Sequence, residues 1–239
     1  MGRRRRRAGN IGPVSRPTRA VLLDALGTLV RLEPPAPRLR FELARLGLEV
    51  DAAACERAFA AEIAYYVEHH IDGRDPGSLA ELRNRCAAVL HDALGVPGLP
   101  VADARDAMLA AIRFEPYPDA APALRELRGR GLRIVVASNW DCSLPEVLDR
   151  AGLAALVDGV ATSAEAGARK PDPAPFEAAL RLAGCAADEA VHAGDGVAAD
   201  VEGARAAGIR PVLVDRGGGE RPPPGVPAIA GLGELAAVI

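Results

Sequence analysis

Five short apolar runs recur along the 239-residue chain, and each ends at a polar residue or a glycine. Within the runs apolar residues follow one another with little polar alternation, which is typical of parallel strands buried on both faces of a sheet. The runs occupy residues 20–24, 132–138, 159–162, 190–194 and 211–215. A sheet made of such strands needs helices on both of its faces.

Helical patterns separate most of these runs, and a glycine follows each pattern, as is typical of a left-handed C-terminal cap. The patterns cover residues 120–130, 144–151, 173–183 and 198–207. Ser143, with Glu146 three residues later, predicts a capping box at the start of the second helix. Strands that alternate with such helices predict an α/β fold with a doubly wound, Rossmann-like parallel sheet.

The interval from about residue 31 to residue 113 breaks this alternation, because it contains no strand-like run. Its helical patterns lie at 39–46, 52–67, 79–94 and 103–112, with glycine-containing segments between them. We therefore expect an inserted all-helical cap at 32–113, a core at 20–31 and 114–239, and a tail at 1–19. Because ligands of doubly wound sheets bind beyond the carboxyl ends of the strands, the cap should lie over that site.

Charge and cysteine usage narrow the class of protein. Residues 1–19 hold seven arginines and no acid, whereas the rest of the chain holds 22 basic and 32 acidic residues. We interpret the tail as disordered, with at most nonspecific nucleic-acid contact through Arg3–Arg7. The four cysteines form no C-x-x-C pair, which argues against a zinc site or a disulfide scaffold. No apolar run is long enough for a membrane span, and a cytoplasmic location is expected.

Polar residues stand where the predicted parallel strands end, so they should meet at one edge of the sheet. They are Asp24, Ser138 with Asn139, Lys170 in the loop after the third strand, and Asp195. Carboxylates bind Mg²⁺, which prefers oxygen ligands, while hydroxyl, amide and ammonium groups bind phosphate oxygens. Asp24 is then a candidate nucleophile that forms an aspartyl-phosphate.

Lysine usage singles out one of these residues. Lys170 is the only lysine among 29 basic residues, and a compact ammonium can lie between a carboxylate and a phosphoryl oxygen where a guanidinium cannot replace it. Asp200 follows Asp195 by five residues, in the predicted helix, where it could hold a metal-bound water.

Four ordered motifs resemble those of the haloacid dehalogenase superfamily, whose members are mostly Mg²⁺-dependent phosphatases. The motifs are Asp24-Ala-Leu-Gly27-Thr28-Leu29, Ser138-Asn139, Lys170-Pro171-Asp172-Pro173, and Gly194-Asp195 with Asp200. The resemblance covers residues 20–215, and the helical insert resembles the cap of the subfamily with a cap after the first motif. It implies a small phosphorylated substrate and a magnesium ion.

The resemblance also implies roles for individual residues. Asp24 and Lys170 are the expected catalytic residues. Thr28, Ser138, Asn139 and Lys170 are expected to bind substrate. The expected metal ligands are Asp24, Asp195, Asp200 and Leu26, the last through its backbone carbonyl.

Leu26 departs from the family's phosphatase pattern, in which a second aspartate two residues after the nucleophile acts as general acid and base. Such help contributes about 10² to 10⁴ in rate. Two alternatives therefore stay open: a 2-haloacid dehalogenase, a class that lacks the second aspartate but also the metal, and a non-catalytic relative that binds phosphate or a partner protein.

Several other side chains are assigned no chemistry. Tyr65, Tyr66, His69 and His70 crowd the end of a cap helix, and adjacent histidines point about 100° apart, so chelation by the pair is not expected. His192 is expected in the core. Trp140 is a candidate to line the pocket, and Asp141 to cap the helix after it.

Overall fold

Six parallel strands form the central sheet of the computed structural model, which describes residues 17–217, 219 and 221–239. The strands of the chain are β1 (Ala20–Leu23), β2 (Val30–Leu32), β3 (Phe114–Pro116), β4 (Arg133–Ser138), β5 (Gly159–Thr162), β6 (Ala190–Gly194), β7 (Arg210–Val214) and β8 (Ala228–Ile229). The sheet has the order β5-β4-β1-β6-β7-β8. The predicted fold class is confirmed, with β8 as a sixth strand that was not predicted.

The helices are α1 (Pro35–Arg45), α2 (Ala52–His69), α3 (Pro76–Leu94), α4 (Val101–Ala111), α5 (Ala120–Gly129), α6 (Leu144–Arg150), α7 (Ser163–Ala166), α8 (Pro173–Ala183), α9 (Gly203–Ala206) and α10 (Leu235–Val238). Short 3₁₀ turns lie at His70–Asp72, Ala154–Leu156, Ala187–Glu189 and Leu232–Glu234. A π-helical turn, Val197–Glu202, occupies the first part of the helix predicted at 198–207. No helix in the described part of the chain is long and apolar enough to cross a membrane.

Alternate residues of β1 enter two different apolar cores, which is the signature of a sheet covered on both faces. Val21 and Leu23 pack with side chains of α5, α6 and α10 on one face. Ala20 and Leu22 pack with side chains of α8 and α9 on the other. All four side chains are fully buried, which explains why this strand contains no polar alternation.

The helices α1 to α4 enclose an apolar cluster of their own, which includes Leu39, Leu43, Phe59, Leu90 and Met108. Contrary to the expectation of a strand-free interval, β2 pairs antiparallel with β3 where the chain enters and leaves this helical segment. β2 crosses the expected domain boundary at 31/32, and β3 begins directly after the boundary at 113/114. A three-residue strand is too short to show a period of its own, which is why sequence patterning missed it.

Two further expectations need correction. The Ser143 side chain makes no capping bond, because Ser143 has helical rather than extended backbone angles; Asp141 Oδ1 instead accepts the Ser143 N–H at 2.8 Å. Arg19, expected in a disordered tail, donates its N–H to Glu189 O and accepts the Arg133 N–H, so it extends the sheet. Residues 1–16, with Arg3–Arg7, lie outside the described residues.

Asp119 ties the C-terminal segment to the loop after β1. Its carboxylate accepts two bonds from Arg216, at 2.9 and 3.1 Å, and the Leu232 N–H at 2.7 Å. Arg216 also donates to Thr28 O and lies 3.8 Å from the centre of the Tyr117 ring. One carboxylate thus supports the loop that follows Asp24.

Replacing Asp119 by Ala leaves Arg216 without its carboxylate and the Leu232 N–H without its acceptor. We expect the free energy of unfolding to fall by about 1–3 kcal/mol, measured by urea denaturation. Glu126→Ala is the matched control, since that carboxylate only pairs with Arg130 on the surface of α5 and should change stability by about 0.5 kcal/mol or less. Equal effects of the two substitutions would contradict this role for Asp119.

Candidate active site

The register of the central strands brings Asp24, Ser138 and Asp195 to one edge of the sheet. Leu23 of β1 is aligned with Val136 of β4 and with Ala193 of β6, so the residues that follow these strands leave the sheet side by side. The loop after α7 adds Lys170 to the same place, and the π-helical turn adds Asp200. Four segments far apart in sequence therefore meet at one point.

Lys170 lies at the centre of this group, with its side chain only 1% exposed. Its Nζ donates to Asp24 Oδ1 at 2.7 Å, to Asp200 Oδ1 at 2.5 Å and to Ala137 O at 2.9 Å. An ammonium has three N–H groups, and all three are used. A planar guanidinium does not reproduce this arrangement. This explains why a lysine stands here, although the other 28 residues of the lysine and arginine total are arginines.

Asn139 holds the backbone of Lys170. Its Oδ1 accepts the Lys170 N–H at 2.7 Å, and its Nδ2 donates to Lys170 O at 3.1 Å. Both polar atoms of the amide therefore bond to the backbone of Lys170. Asn139 also lines the cavity described below, and its expected role in substrate binding stays a prediction. Ser138 Oγ donates to Asp24 Oδ1 at 2.9 Å, next to the bond from Lys170.

Thr28 does not lie where the sequence placed it, among the ligand-binding groups. It is fully buried, it does not line the cavity described below, and its Oγ1 has no partner among the described residues. Its carbonyl oxygen instead accepts the bond from Arg216. The structure thus gives Thr28 a place in the support of the loop.

Oxygen atoms of Asp24, Asp195 and Asp200 lie within 4.8 Å of one another. With Lys170 as the cation in contact with two of them, the group carries an excess of two negative charges when all are ionised. A cluster of hard oxygen donors with this excess fits a divalent cation such as Mg²⁺.

The charges of the cluster shift one another's pKa values. Burial opposes the charge of Lys170, but Asp24 and Asp200 outweigh it and raise the pKa of its ammonium to about 12. Burial raises the pKa of Asp24, an effect that Lys170 reduces. Desolvation and the neighbouring carboxylates raise the pKa of Asp195 to about 6. The pKa of Asp200 lies well below its usual range, because Lys170 and His192 outweigh its burial.

Asp200 is held more firmly than its place in a predicted helix suggested. Besides Lys170, its Oδ1 accepts a bond from His192 Nε2 at 2.8 Å, and its Oδ2 accepts the Gly196 N–H at 2.9 Å. His192 is fully buried, as expected of a core residue, and meets Phe176 edge-on. Its contact with the site was not predicted; a histidine inside an apolar strand was the signal.

Two glycines let the carboxylates approach the backbone. A Cβ on Gly27 would lie 2.0 Å from Asp195 Oδ2, and Gly27 has a φ of +82°, which favours glycine. A Cβ on Gly194 would lie 2.2 Å from Asp200 Cγ. Both clashes involve carboxylates of the cluster, so these glycines are needed for its assembly.

A cavity of about 550 Å³ extends from the carboxylate cluster into the helical segment. One wall is apolar and begins at Leu26, whose side chain is 44% exposed. The apolar lining includes Leu26, Leu32, Ile63, Val67, Leu109, Ile112 and Phe114. Trp140 also lines the cavity, as the sequence suggested.

The end of α2 contributes polar groups to the cavity that sequence patterning treated only as a helix terminus. Tyr66 and His70 both line it. The Tyr66 hydroxyl donates to Asp141 Oδ2 at 2.9 Å, which joins the helical segment to the core beside the site. His70 Nδ1 donates to Val67 O at 2.9 Å, and His69 Nδ1 to Tyr65 O at 2.9 Å, so these two side chains bind their own helix. The four-residue spacing of Tyr66 and His70, which places both on one face of a helix, was the available signal in the sequence.

Comparison with known proteins gives consistent matches. Residues 18–208 match the haloacid dehalogenase-like hydrolase family. The human haloacid dehalogenase-like hydrolase domain-containing protein 3 is 34% identical over 205 residues, which cover 82% of this chain and 81% of that protein. A ribulose-1,5-bisphosphate 5-phosphatase of Halopiger xanaduensis is 34% identical over 183 residues, covering 69% and 75%. The crystal structure of a 2-haloacid dehalogenase from Pseudomonas syringae has a TM-score of 0.66 at 25% identity, covering 92% and 97%.

Replacing Lys170 by Met removes the ammonium that Asp24 and Asp200 share. Two buried carboxylates then lack compensation, and we expect the free energy of unfolding to fall by about 3–5 kcal/mol in the presence of EDTA. Adding Asp24→Asn should restore part of the loss. Arg150→Met removes an exposed cation of α6 and serves as the control, with an expected change of about 0.5 kcal/mol or less. Native-like stability of the Lys170→Met protein would show that the buried pairs contribute little.

Proposed function

The chain belongs to the haloacid dehalogenase-like hydrolases, and from this membership we propose that it is a Mg²⁺-dependent phosphatase of a small phosphorylated metabolite. The observation that carries the proposal is the cluster of three carboxylates, two of which contact a buried ammonium. Phosphatases among its relatives agree with it. We further propose that α1 to α4 act as a cap, which covers the leaving group of the substrate.

In this proposal Asp24 is the nucleophile. The ordered bonds from Ser138 and Lys170 go to its Oδ1, and no described residue donates to its Oδ2. A carboxylate oxygen attacks phosphorus, the P–O bond to the leaving group breaks, and its electron pair leaves with the oxygen of the leaving group, which departs as an anion. Water then attacks the phosphorus of the aspartyl-phosphate, which releases phosphate and restores the carboxylate.

Lys170 and Ser138 would stabilise the charge that moves during these steps. Both contact the nucleophile from inside the protein, so they are already oriented and cost no reorganisation when charge develops on the phosphoryl oxygens. Asn139 acts as a positioning residue, since it fixes the backbone of Lys170.

Asp24 and Asp195 would hold the magnesium ion, together with the Leu26 carbonyl as the family pattern implies. Asp200 lies in the same cluster, but its oxygens already accept bonds from Lys170, His192 and Gly196, which suits it to order the site. The bound ion would offset the negative charge of the phosphate and of the carboxylates.

Leu26 determines which phosphates can react. The family's phosphatases use an aspartate at this position to protonate the leaving oxygen, and here an apolar side chain faces the cavity instead. The leaving group must then depart without that proton. Acyl and aryl phosphates, whose leaving groups have a low pKa, are therefore the proposed substrates, in preference to alkyl phosphates.

A 2-haloacid dehalogenase is the second candidate function. Leu26 favours it, because dehalogenases of the superfamily also lack the second aspartate at this position. The cluster of Asp24, Asp195 and Asp200 favours the phosphatase, since a metal-free dehalogenase has no need of an acidic group at Asp195.

Mg²⁺ should raise the melting temperature of the metal-free protein. Binding at a concentration of 100 times Kd stabilises the fold by about 2.7 kcal/mol, which differential scanning calorimetry detects easily. Asp195→Asn should remove the response. Asp149→Asn, which changes an exposed carboxylate on α6, should leave it intact. A protein indifferent to Mg²⁺ that releases chloride from 2-chloropropionate would support the dehalogenase instead, and absence of both responses would support a non-catalytic relative.

The rate of hydrolysis should depend steeply on leaving-group pKa. With Mg²⁺ present, we expect acetyl phosphate and aryl phosphates to react far faster than alkyl phosphates. Leu26→Asp should raise turnover of alkyl phosphates by about 10² to 10⁴, the range of general acid-base catalysis. Leu26→Asn is the matched control, because it is polar but cannot supply a proton. A flat dependence in the native protein would show that another residue supplies the proton.

A further inference from the structure

Glu62 is a buried acid that the proposed reaction does not use. It lies in α2, is 4% exposed and lines the cavity. The wall of the same cavity includes the apolar side chains of Phe59, Leu82 and Met108. The Cys86 thiol of α3 lies beside the Glu62 carboxyl, and within the described residues no cation forms an ion pair with it.

The position of Glu62 along α2 separates it from the reacting atoms. Tyr66, one helical turn later, bonds to Asp141 of the core, and the carbonyl of the next residue, Val67, accepts a bond from Arg169. A turn of helix rises about 5.4 Å, so Glu62 lies one turn deeper in the helical segment than the Tyr66 contact. The phosphate belongs at the carboxylate cluster in the core, so a side chain at Glu62 meets the far end of the leaving group.

A buried carboxyl in an apolar wall is unfavourable unless a partner compensates its charge. Burial raises the pKa of Glu62 to about 7, against an opposing effect of the Cys86 thiol. Burial and Glu62 together raise the pKa of Cys86 to about 12, so the thiol remains neutral and supplies no charge. The missing cation can therefore come from a ligand.

We propose that Glu62 binds a protonated amine at the far end of the substrate's leaving group. The apolar wall of the cavity, which includes Leu26 and Ile63, packs against the hydrocarbon part of the leaving group. The proposal rests on the phosphatase function proposed above and adds the chemical class of the leaving group. Glu62 is then a specificity-determining residue and not a catalytic one. A hydroxyl would gain less than an ammonium from the carboxylate, because hydrogen bonds between charged groups are stronger.

Other ionisable groups line the cavity around Glu62 and need separation from it in any pH experiment. They are Cys86 and Arg83 of α3, Tyr66 and His70 at the end of α2, Asp141 of the core, Glu146 and Arg150 of α6, and Arg169 in the loop after α7. In the described chain, α1 and α4 contribute no charged side chain to the cavity. The carboxylate cluster contacts the phosphate, which the compared substrates share. The ratio of their KM values therefore cancels the effect of pH on the cluster.

Three aryl phosphates with different para substituents test the proposal: 4-(aminomethyl)phenyl, 4-(hydroxymethyl)phenyl and 4-methylphenyl phosphate. The native protein should bind the aminomethyl compound best, with a KM lower than that of the methyl compound by about tenfold or more. The preference should grow as pH rises through about 7, where Glu62 ionises. Glu62→Gln should abolish the preference and its pH dependence, with little change for the methyl compound.

Glu146→Gln is the matched control, since Glu146 also lines the cavity but is exposed and pairs with Arg150. It should keep the preference. Equal KM values for all three compounds, or an equal preference for the hydroxymethyl compound without pH dependence, would overturn the proposal. If Glu62→Gln does not fold, the pH dependence of the native protein decides alone.

Binding of 4-methylbenzylamine separates this proposal from the proposed function. Trp140, the only tryptophan of the chain, lines the same cavity and reports ligand binding by fluorescence. Saturable binding of the amine that Glu62→Gln removes would support the subsite even if no phosphate is hydrolysed. Hydrolysis of aryl phosphates without any amine binding would support the phosphatase and overturn the subsite. The melting temperature gives a further readout, since a purely structural Glu62 predicts destabilisation by Gln, and a ligand-binding Glu62 predicts none.

Discussion

The shared ammonium of Lys170 is the interaction on which the candidate site depends. Asp24 follows β1 and Asp200 follows β6, and each of the two residues is almost completely buried. Without a cation between them, two carboxylates at so short a distance would repel each other strongly, because the protein interior has a low polarity. Lys170 supplies the cation, Asn139 fixes its backbone, and Gly27 and Gly194 leave room for the acids. The arrangement needs all of these together, which makes it a constraint on the whole sheet edge.

The sequence predicted the parts of the molecule that follow from burial on both sides of a sheet. All five predicted strands occur in the central sheet, since continuous apolar runs have few other uses in a protein of this size. The uniqueness of Lys170 also pointed to its environment, because a buried three-way contact needs an ammonium. The order of residues along the chain does not show which side chains contact each other in the folded protein. The Asn139 amide bonds to the backbone of Lys170, and the backbone carbonyl of Thr28 accepts a bond from Arg216; the positions of both partners depend on the tertiary fold.

Local patterns failed where tertiary contacts override them. The Ser143–Glu146 spacing fits a capping box, but the chain turns at Asp141, whose carboxylate reaches the Ser143 N–H first. The predicted helix at 198–207 begins as a π-helical turn, and Asp200 within that turn faces Lys170 and His192. Departures of this kind are concentrated at the sheet edge that carries the carboxylates. There the requirements of the cluster compete with those of regular secondary structure.

Buried acids line the cavity at two places, and the two places differ in whether the chain supplies a cation beside the acid. In the core, Asp24 and Asp200 have a cation of the chain beside them, and the excess charge that remains suits a metal ion. In the helical segment, Glu62 has an uncharged thiol beside it and lines a cavity with many apolar side chains. A carboxyl in such a place costs stability in the empty protein, and methionine or leucine would fill the same space more favourably. The ammonium of the proposed ligand would compensate this carboxyl, and the cavity that Glu62 lines is the route by which that ligand can arrive.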